Sequence, residues 1–180
     1  EPVVRDLFYA LNTLQHRGQE SCGIAVSDDK DISCHKGMGL VQEVFREENI
    51  QNMNGNIGIG HVRYSTAGGS YEYNTQPLLG FSKGKRIAIA HNGNLINNQL
   101  LKTRLEEDGM MFQTTIDSEV ILYLISRYYN GNMLDAVKKT MDLIKGAYSL
   151  VVMLTDKMVA VRDPYGFRPL VMGRRGDDYI

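Results

Sequence analysis

The apolar residues of this chain change period in blocks, and that ordering constrains the fold more than any other feature of the sequence. Val4, Leu7, Ala10, Leu11 and Leu14 recur at helical spacing up to Gly18, so the chain opens with an amphipathic helix. Runs with strand character follow at Gly23 to Val26, Ile32 to His35, Ile57 to Val62 and Arg86 to His91, rich in β-branched residues and bounded by glycine or polar turns. Helical periodicity then returns three times. One helix passes through Leu100, Leu101, Arg104 and Leu105, with Asn97 or Asn98 at its start and Gly109 at its end. The next runs from Ser118 to Tyr129 with Asp117 as its cap, and the third from Leu134 to Lys145 with Leu134, Val137, Met141 and Ile144 on one face. Strands close the pattern at Tyr148 to Leu154, Met158 to Arg162 and Leu170 to Gly173, with a turn near Asp156-Lys157. Strands and helices grouped in blocks favour an α+β layered domain with mainly antiparallel sheets over a doubly wound parallel one.

A chain of 180 residues is the size of one domain, and no repeat or Pro-rich linker divides it. With 20 Lys plus Arg against 21 Asp plus Glu and no basic block, nucleic acid is not an expected partner. No apolar run approaches the roughly 20 residues that span a bilayer, and the first residues do not read as a secretory signal, so a soluble cytoplasmic protein is expected. Cys22 and Cys34 have neither zinc spacing nor a framework around them and are expected to be reduced thiols.

Four segments are more specialised than packing requires: Gln15 to Gln19, Gly58 to Gly68, His91 to Asn94, and Thr115 to Glu119. Asn92-Gly93 has the composition of a hairpin turn, yet it leads towards a helix rather than a returning strand. An amide side chain beside a glycine N–H is also a donor pair suited to an oxyanion in acyl transfer. Arg63 is either a surface arginine or a planar fork for a carboxylate. Asp117 is either a helix N-cap or an acceptor for an ammonium group. Read jointly, these roles describe an amino-acid amide substrate such as glutamine. Either cysteine would be a candidate nucleophile, His16 being near Cys22 and His35 adjoining Cys34, although sequence neighbours seldom form a catalytic pair.

At these segments the sequence resembles the class II glutamine amidotransferases, whose glutaminase domain is of the N-terminal-nucleophile hydrolase type. The stretches Leu14 to Ser21, Gly60 to Gly68 and Arg162 to Leu170 resemble in particular the purine-biosynthetic branch, and the likeness covers nearly the whole chain. It implies a four-layer αββα sandwich of two antiparallel sheets. It further implies that Arg63 binds the glutamine carboxylate, that Asp117 binds its ammonium, that Asn92 and Gly93 form the oxyanion hole, and that Arg17 supports the nucleophile. Thr66 and His61 would shape the pocket. The implied nucleophile is a cysteine followed by glycine at the mature N-terminus. The sequence starts instead at Glu1, so we expect it to begin after the first strand that would carry that cysteine, a natively inactive domain being the alternative. No cofactor or metal is expected in this domain. A phosphoribosyltransferase domain, with its magnesium, is the expected partner beyond Ile180, and a homo-oligomer is compatible with the resemblance. A non-catalytic glutamine-binding module and a glutaminase domain of another class II enzyme are the rival readings.

Overall fold

In a computed structural model the described residues are 3–64 and 69–180; Thr66 lies outside them. The chain begins with α1 (Val3–Leu14), which buries Val4 and Leu11, and continues through a single 3-10 turn (Gln15–Arg17) into β1 (Ser21–Ser27) and β2 (Ile32–Met38). Two short helices that the sequence pattern did not reveal, α2 (Val41–Val44) and α3 (Glu47–Gln51), precede β3 (Ile57–Arg63). Each contributes one buried side chain, Val41 or Ile50, too little to leave a periodic signal.

A strand also missed by pattern, β4 (Leu78–Ser82), pairs with β5 (Lys85–Leu95) across a tight turn with Lys83 and Gly84 at positive φ. The helices α4 (Asn98–Glu107), α5 (Asp117–Tyr128) and α6 (Met133–Leu143) follow, and then β6 (Gly146–Met153) and β7 (Met158–Arg162). The expected strand at Leu170 to Gly173 does not form. Val171 and Met172 in that segment are 88 % and 81 % exposed and pack on no sheet, and a minimal hairpin of β8 (Arg174–Arg175) and β9 (Asp178–Tyr179) lies beyond it. On α6 the inward face is Met133, Ala136, Val137 and Thr140, and Leu134 is 55 % exposed. The expected face was therefore rotated by one residue at its start.

One sheet has the order β2-β1-β3 and the other β4-β5-β6-β7, with antiparallel pairing throughout. Three apolar cores separate four layers. Val4, Leu11, Cys22, Ile24 and Phe45 fill the space between α1, α2 and the first sheet. Ala25, Ile32, Ile59, Ala88, Ala90 and Met153 lie between the two sheets, where the three alanines let the sheets approach. Ile87, Ile89, Val120, Ile121, Ile125, Leu150 and Val152 pack the second sheet against α4 to α6. This is the α+β, αββα arrangement that the sequence led us to expect. Because β1 lies between two strands and two layers, all seven of its residues are buried. No helix among the described residues is long and apolar enough to cross a membrane.

Candidate active site

A cavity of about 450 Å³ opens where β3 and β5 end against α5 and the loop after β7. Six of the residues singled out in the sequence, Arg17, His61, Arg63, Asn92, Gly93 and Asp117, line it, although they come from segments as much as 100 positions apart. Gln76, His91, Ser118 and Arg168 also reach it and had been assigned no role.

Asn92 and Gly93 do not follow a strand. They sit inside β5, opposite Ser149 and Tyr148 of β6, which excludes the hairpin turn. Backbone groups alternate sides along a strand. The His91 N–H bonds Gln76 Oε1 at 2.7 Å and the Leu95 N–H bonds Asp117 Oδ2 at 2.8 Å, both on the side away from β6. Alternation therefore puts the Gly93 N–H on that same side, between them, facing the cavity. A side chain at this position has no room: a Cβ on Gly93 would stand 2.2 Å from the Ala147 carbonyl oxygen and 2.8 Å from His91 Nε2. Asn92 next to it is exposed and also lines the cavity.

Asp117 is not the N-cap of α5. Ile116 holds that position without a side-chain bond, and the Asp117 carboxylate bridges back to β5 through Leu95. Its Oδ1 lies 3.5 Å from His91 Nδ1, which is 3.0 Å from Ser118 Oγ. These acceptors put a proton on Nδ1 and leave the buried Nε2 without a partner. Burial pushes the Asp117 pKa up. The His91 ring and the N–H groups of Leu95 and Ser118 outweigh that and hold it below the usual carboxylate value. An ionised carboxylate, 15 % exposed, thus faces the cavity.

Arg63 ends β3 and is 6 % exposed, so the surface reading fails. Its Nη1 donates to Glu20 Oε1, and the Glu20 N–H donates to the Arg63 carbonyl at 3.1 Å. Gln15 fastens the same segment, Nε2 donating to the Gly18 carbonyl at 2.5 Å and Oε1 accepting from the Val41 N–H at 2.7 Å. The Gln15 to Glu20 stretch is thus a brace for β3 that leaves Arg17 exposed at the cavity wall.

His61 Nε2 donates to the His91 carbonyl at 3.2 Å, and its Nδ1 is buried without a partner. Burial and the neighbouring His91 lower its pKa to about 4, against the hydrogen bond that favours the charged ring. An unfolded histidine titrates near 6.5, so between about 6.5 and 4 only the unfolded chain takes the proton. The stabilisation is complete above that window and is lost as pH falls through it, up to about 3 kcal/mol at roughly 1.36 kcal/mol per pKa unit. Urea denaturation at pH 7 and pH 4.5 is expected to show this loss, and His61→Asn to flatten it. An equal slope in the variant would assign the loss to other groups.

The loop after β7 is organised by Asp163, which is 3 % exposed. Its carboxylate accepts from the N–H groups of Tyr165 at 2.9 Å, Tyr148 at 3.3 Å, Phe167 at 3.4 Å and Arg168 at 3.5 Å. Burial raises its pKa, and these four donors bring it below the ordinary value. The loop so gathered presents Arg168 and Pro169 to the cavity.

Neither thiol belongs to the site. Cys22 is wholly buried in the core beneath α1, and burial, with the Glu43 charge, raises its pKa to about 12. Cys34 packs against the core between the sheets, and burial raises its pKa despite the opposing effect of Lys36. Both are free cysteines.

Residues 61–180 match the family described as "Glutamine amidotransferase domain". The chain is 48 % identical over 180 residues to the amidophosphoribosyltransferase of Methanothermobacter thermautotrophicus, covering 99 % of this chain and 38 % of that protein. To the amidophosphoribosyltransferase of Bacillus subtilis it is 44 % identical, covering 96 % and 37 %. Among solved structures, "Structure of the allosteric regulatory enzyme of purine biosynthesis" superposes with a TM-score of 0.93 at 44 % identity, covering 98 % of this chain and 38 % of that one. The glutamine phosphoribosylpyrophosphate amidotransferase from B. subtilis gives 0.92 at 41 % identity, covering 99 % and 39 %. The chain therefore spans less than two-fifths of the length of these relatives.

Proposed function

This chain belongs to the glutamine amidotransferase domain family, and from that premise we propose that it is the glutaminase half of an amidophosphoribosyltransferase, releasing ammonia from glutamine for phosphoribosylamine synthesis in purine biosynthesis. The observation that carries the reading is the meeting, in one cavity, of a donor pair at Asn92-Gly93 with a carboxylate at Asp117 and a guanidinium at Arg63. These groups complement the reacting amide, the α-ammonium and the α-carboxylate of a single amino acid. A cavity of about 450 Å³ has room for it.

On this reading the nucleophile is the N-terminal cysteine of the complete protein. Its α-amine, with a pKa of about 7.7–8.0, takes the thiol proton near neutrality. The thiolate attacks the amide carbon, and the oxygen that becomes negative is met by the Asn92 amide and the Gly93 N–H. Collapse of the adduct expels ammonia with the proton held by the α-amine and leaves a γ-glutamyl thioester. Water then attacks that carbon and glutamate departs. Arg63 and Asp117 hold the substrate without changing charge, His61 walls the pocket as a neutral ring, and Arg17 supports the nucleophile's end. The resemblance alone assigns Thr66 a part in shaping the site. On this reading a phosphoribosyltransferase portion lies in the length of the relatives that this chain does not span, and magnesium would act there.

The test is twofold. Calorimetry on this chain is expected to show one glutamine site, weakened at least tenfold in Asp117→Ala. The complete protein is expected to hydrolyse glutamine and to lose that activity when its N-terminal cysteine becomes serine. Binding with no hydrolysis in the complete protein would make the domain a glutamine sensor instead.

A further inference from the structure

The strand that carries the donor pair outruns its neighbour. The β4 ladder reaches Leu78, opposite Ile89, whereas β5 continues to Leu95. Continued in register, the ladder would set the Gln76 main chain against His91. That main chain is engaged elsewhere. The Gln76 carbonyl turns to β1, where a Cβ on Gly23 would stand 2.3 Å from its oxygen. Lys36 on β2 holds the same turn, Nζ donating to the carbonyls of Thr75 at 2.6 Å and Pro77 at 3.2 Å. The wholly buried Asn74 ties it to the approach to α5, accepting from the Thr115 N–H at 3.0 Å and donating to Thr115 Oγ1 at 2.9 Å.

The Gln76 side chain, 5 % exposed, takes the place the ladder leaves. Its Oε1 accepts from the His91 N–H at 2.7 Å, and its Nε2 donates to the His91 carbonyl at 3.2 Å. A side-chain amide carries a donor and an acceptor in one plane, as a peptide does, so it can imitate a neighbouring strand for one residue. The residue it grips immediately precedes Asn92 and Gly93. Without it, that side of β5 would hang between the last β4 pair at Ile89 and the Asp117 bond at Leu95, and the His91 N–H would lose its acceptor. The carbonyl would keep only His61.

We propose that Gln76 is a positioning residue for the oxyanion hole, its side-chain amide serving as a one-residue strand that fixes the aim of Asn92 and Gly93. The proposal rests on the glutaminase reading. Preorganised donors stabilise charge only if they need not move when it forms, and a misplacement of about 1 Å costs roughly 100-fold in rate.

The experiment is steady-state glutamine hydrolysis by the complete protein, unmodified and as Gln76→Met and Gln76→Glu. The first variant keeps the length and removes both bonds. The second keeps an acceptor for the His91 N–H but sets an oxygen against its carbonyl. Both are expected to lower kcat by about 10- to 100-fold while KM for glutamine stays within about threefold. A kcat within twofold of the unmodified protein in either folded variant would overturn the proposal. So would a raised KM with unchanged kcat, which would make Gln76 a substrate contact. Amide hydrogen exchange at His91 separates this proposal from the reading beneath it. Exchange is expected to quicken at least tenfold in Gln76→Met, and unchanged exchange counts against the clamp. An unmodified protein that never hydrolyses glutamine refutes the glutaminase reading alone.

Discussion

Asn92→Ala in the complete protein is expected to lower kcat for glutamine hydrolysis by about 10²- to 10³-fold, with KM moving by less than about threefold. The asymmetry follows from when the amide is needed. A neutral substrate carbonyl asks little of it, and the oxyanion asks for a full charge-assisted hydrogen bond. Asn92 is exposed, so its truncation opens no cavity in a core, and the melting temperature should stay near that of the parent. Turnover unchanged within a factor of three would remove Asn92 from the oxyanion hole. A KM rising in step with the fall in kcat/KM would recast it as a ground-state contact.

Arg63→Met is expected to be the most disruptive single change to the site, because it strikes stability and binding together. Arg63 and Glu20 are 6 % and 10 % exposed at their side chains, and Glu20 Oε2 has no partner. Removing the guanidinium strands a carboxylate in a poorly solvated place, at a cost of about 3–5 kcal/mol. Against a usual total of about 5–15 kcal/mol, that is a large share. Adding Glu20→Gln removes the stranded charge and should return most of the stability. Glutamine affinity should stay lost in both variants, since neither carries a fork for the α-carboxylate. Urea denaturation reads the first effect and calorimetry the second. Parent-like stability in the single variant would deny that the ion pair is buried in any costly sense, and glutamine affinity restored in the double variant would deny Arg63 its substrate.

The helices were legible from sequence because their apolar residues repeat over three turns, as in α5, where Val120, Ile121, Leu124 and Ile125 are all buried. Long strands such as β1 and β6 were legible for the same reason. Short elements were not. With five residues, β4 turns Leu78, Gly80 and Ser82 to one face and Leu79 and Phe81 to the other, and the more apolar face is the exposed one, Phe81 at 71 %, so no alternation marks it. Asn97 does hold the N-cap position of α4 and Asp117 the first residue of α5, but neither side chain caps its helix. Each stands where a helix begins, and capping is the local use of such a residue. Tertiary structure put a better partner in reach: Leu95 is not a helical neighbour of Asp117, and Asn97 donates to the Leu143 carbonyl at 2.9 Å and accepts from the Lys145 N–H at 2.9 Å.

By itself the sequence determined the class of fold and the identity of the groups proposed to meet glutamine, because both are written in residue types: periodicity for the layers, and amide, carboxylate and guanidinium for the site. Only the tertiary structure decided which of their atoms face the cavity. That depends on the parity of β5, which turns the Gly93 N–H away from β6, and on the early end of β4, which calls Gln76 in to hold the strand. Strand parity and ladder length are set by pairing between segments far apart in the chain, and a hydrogen bond formed across such a distance leaves no periodic mark on either partner.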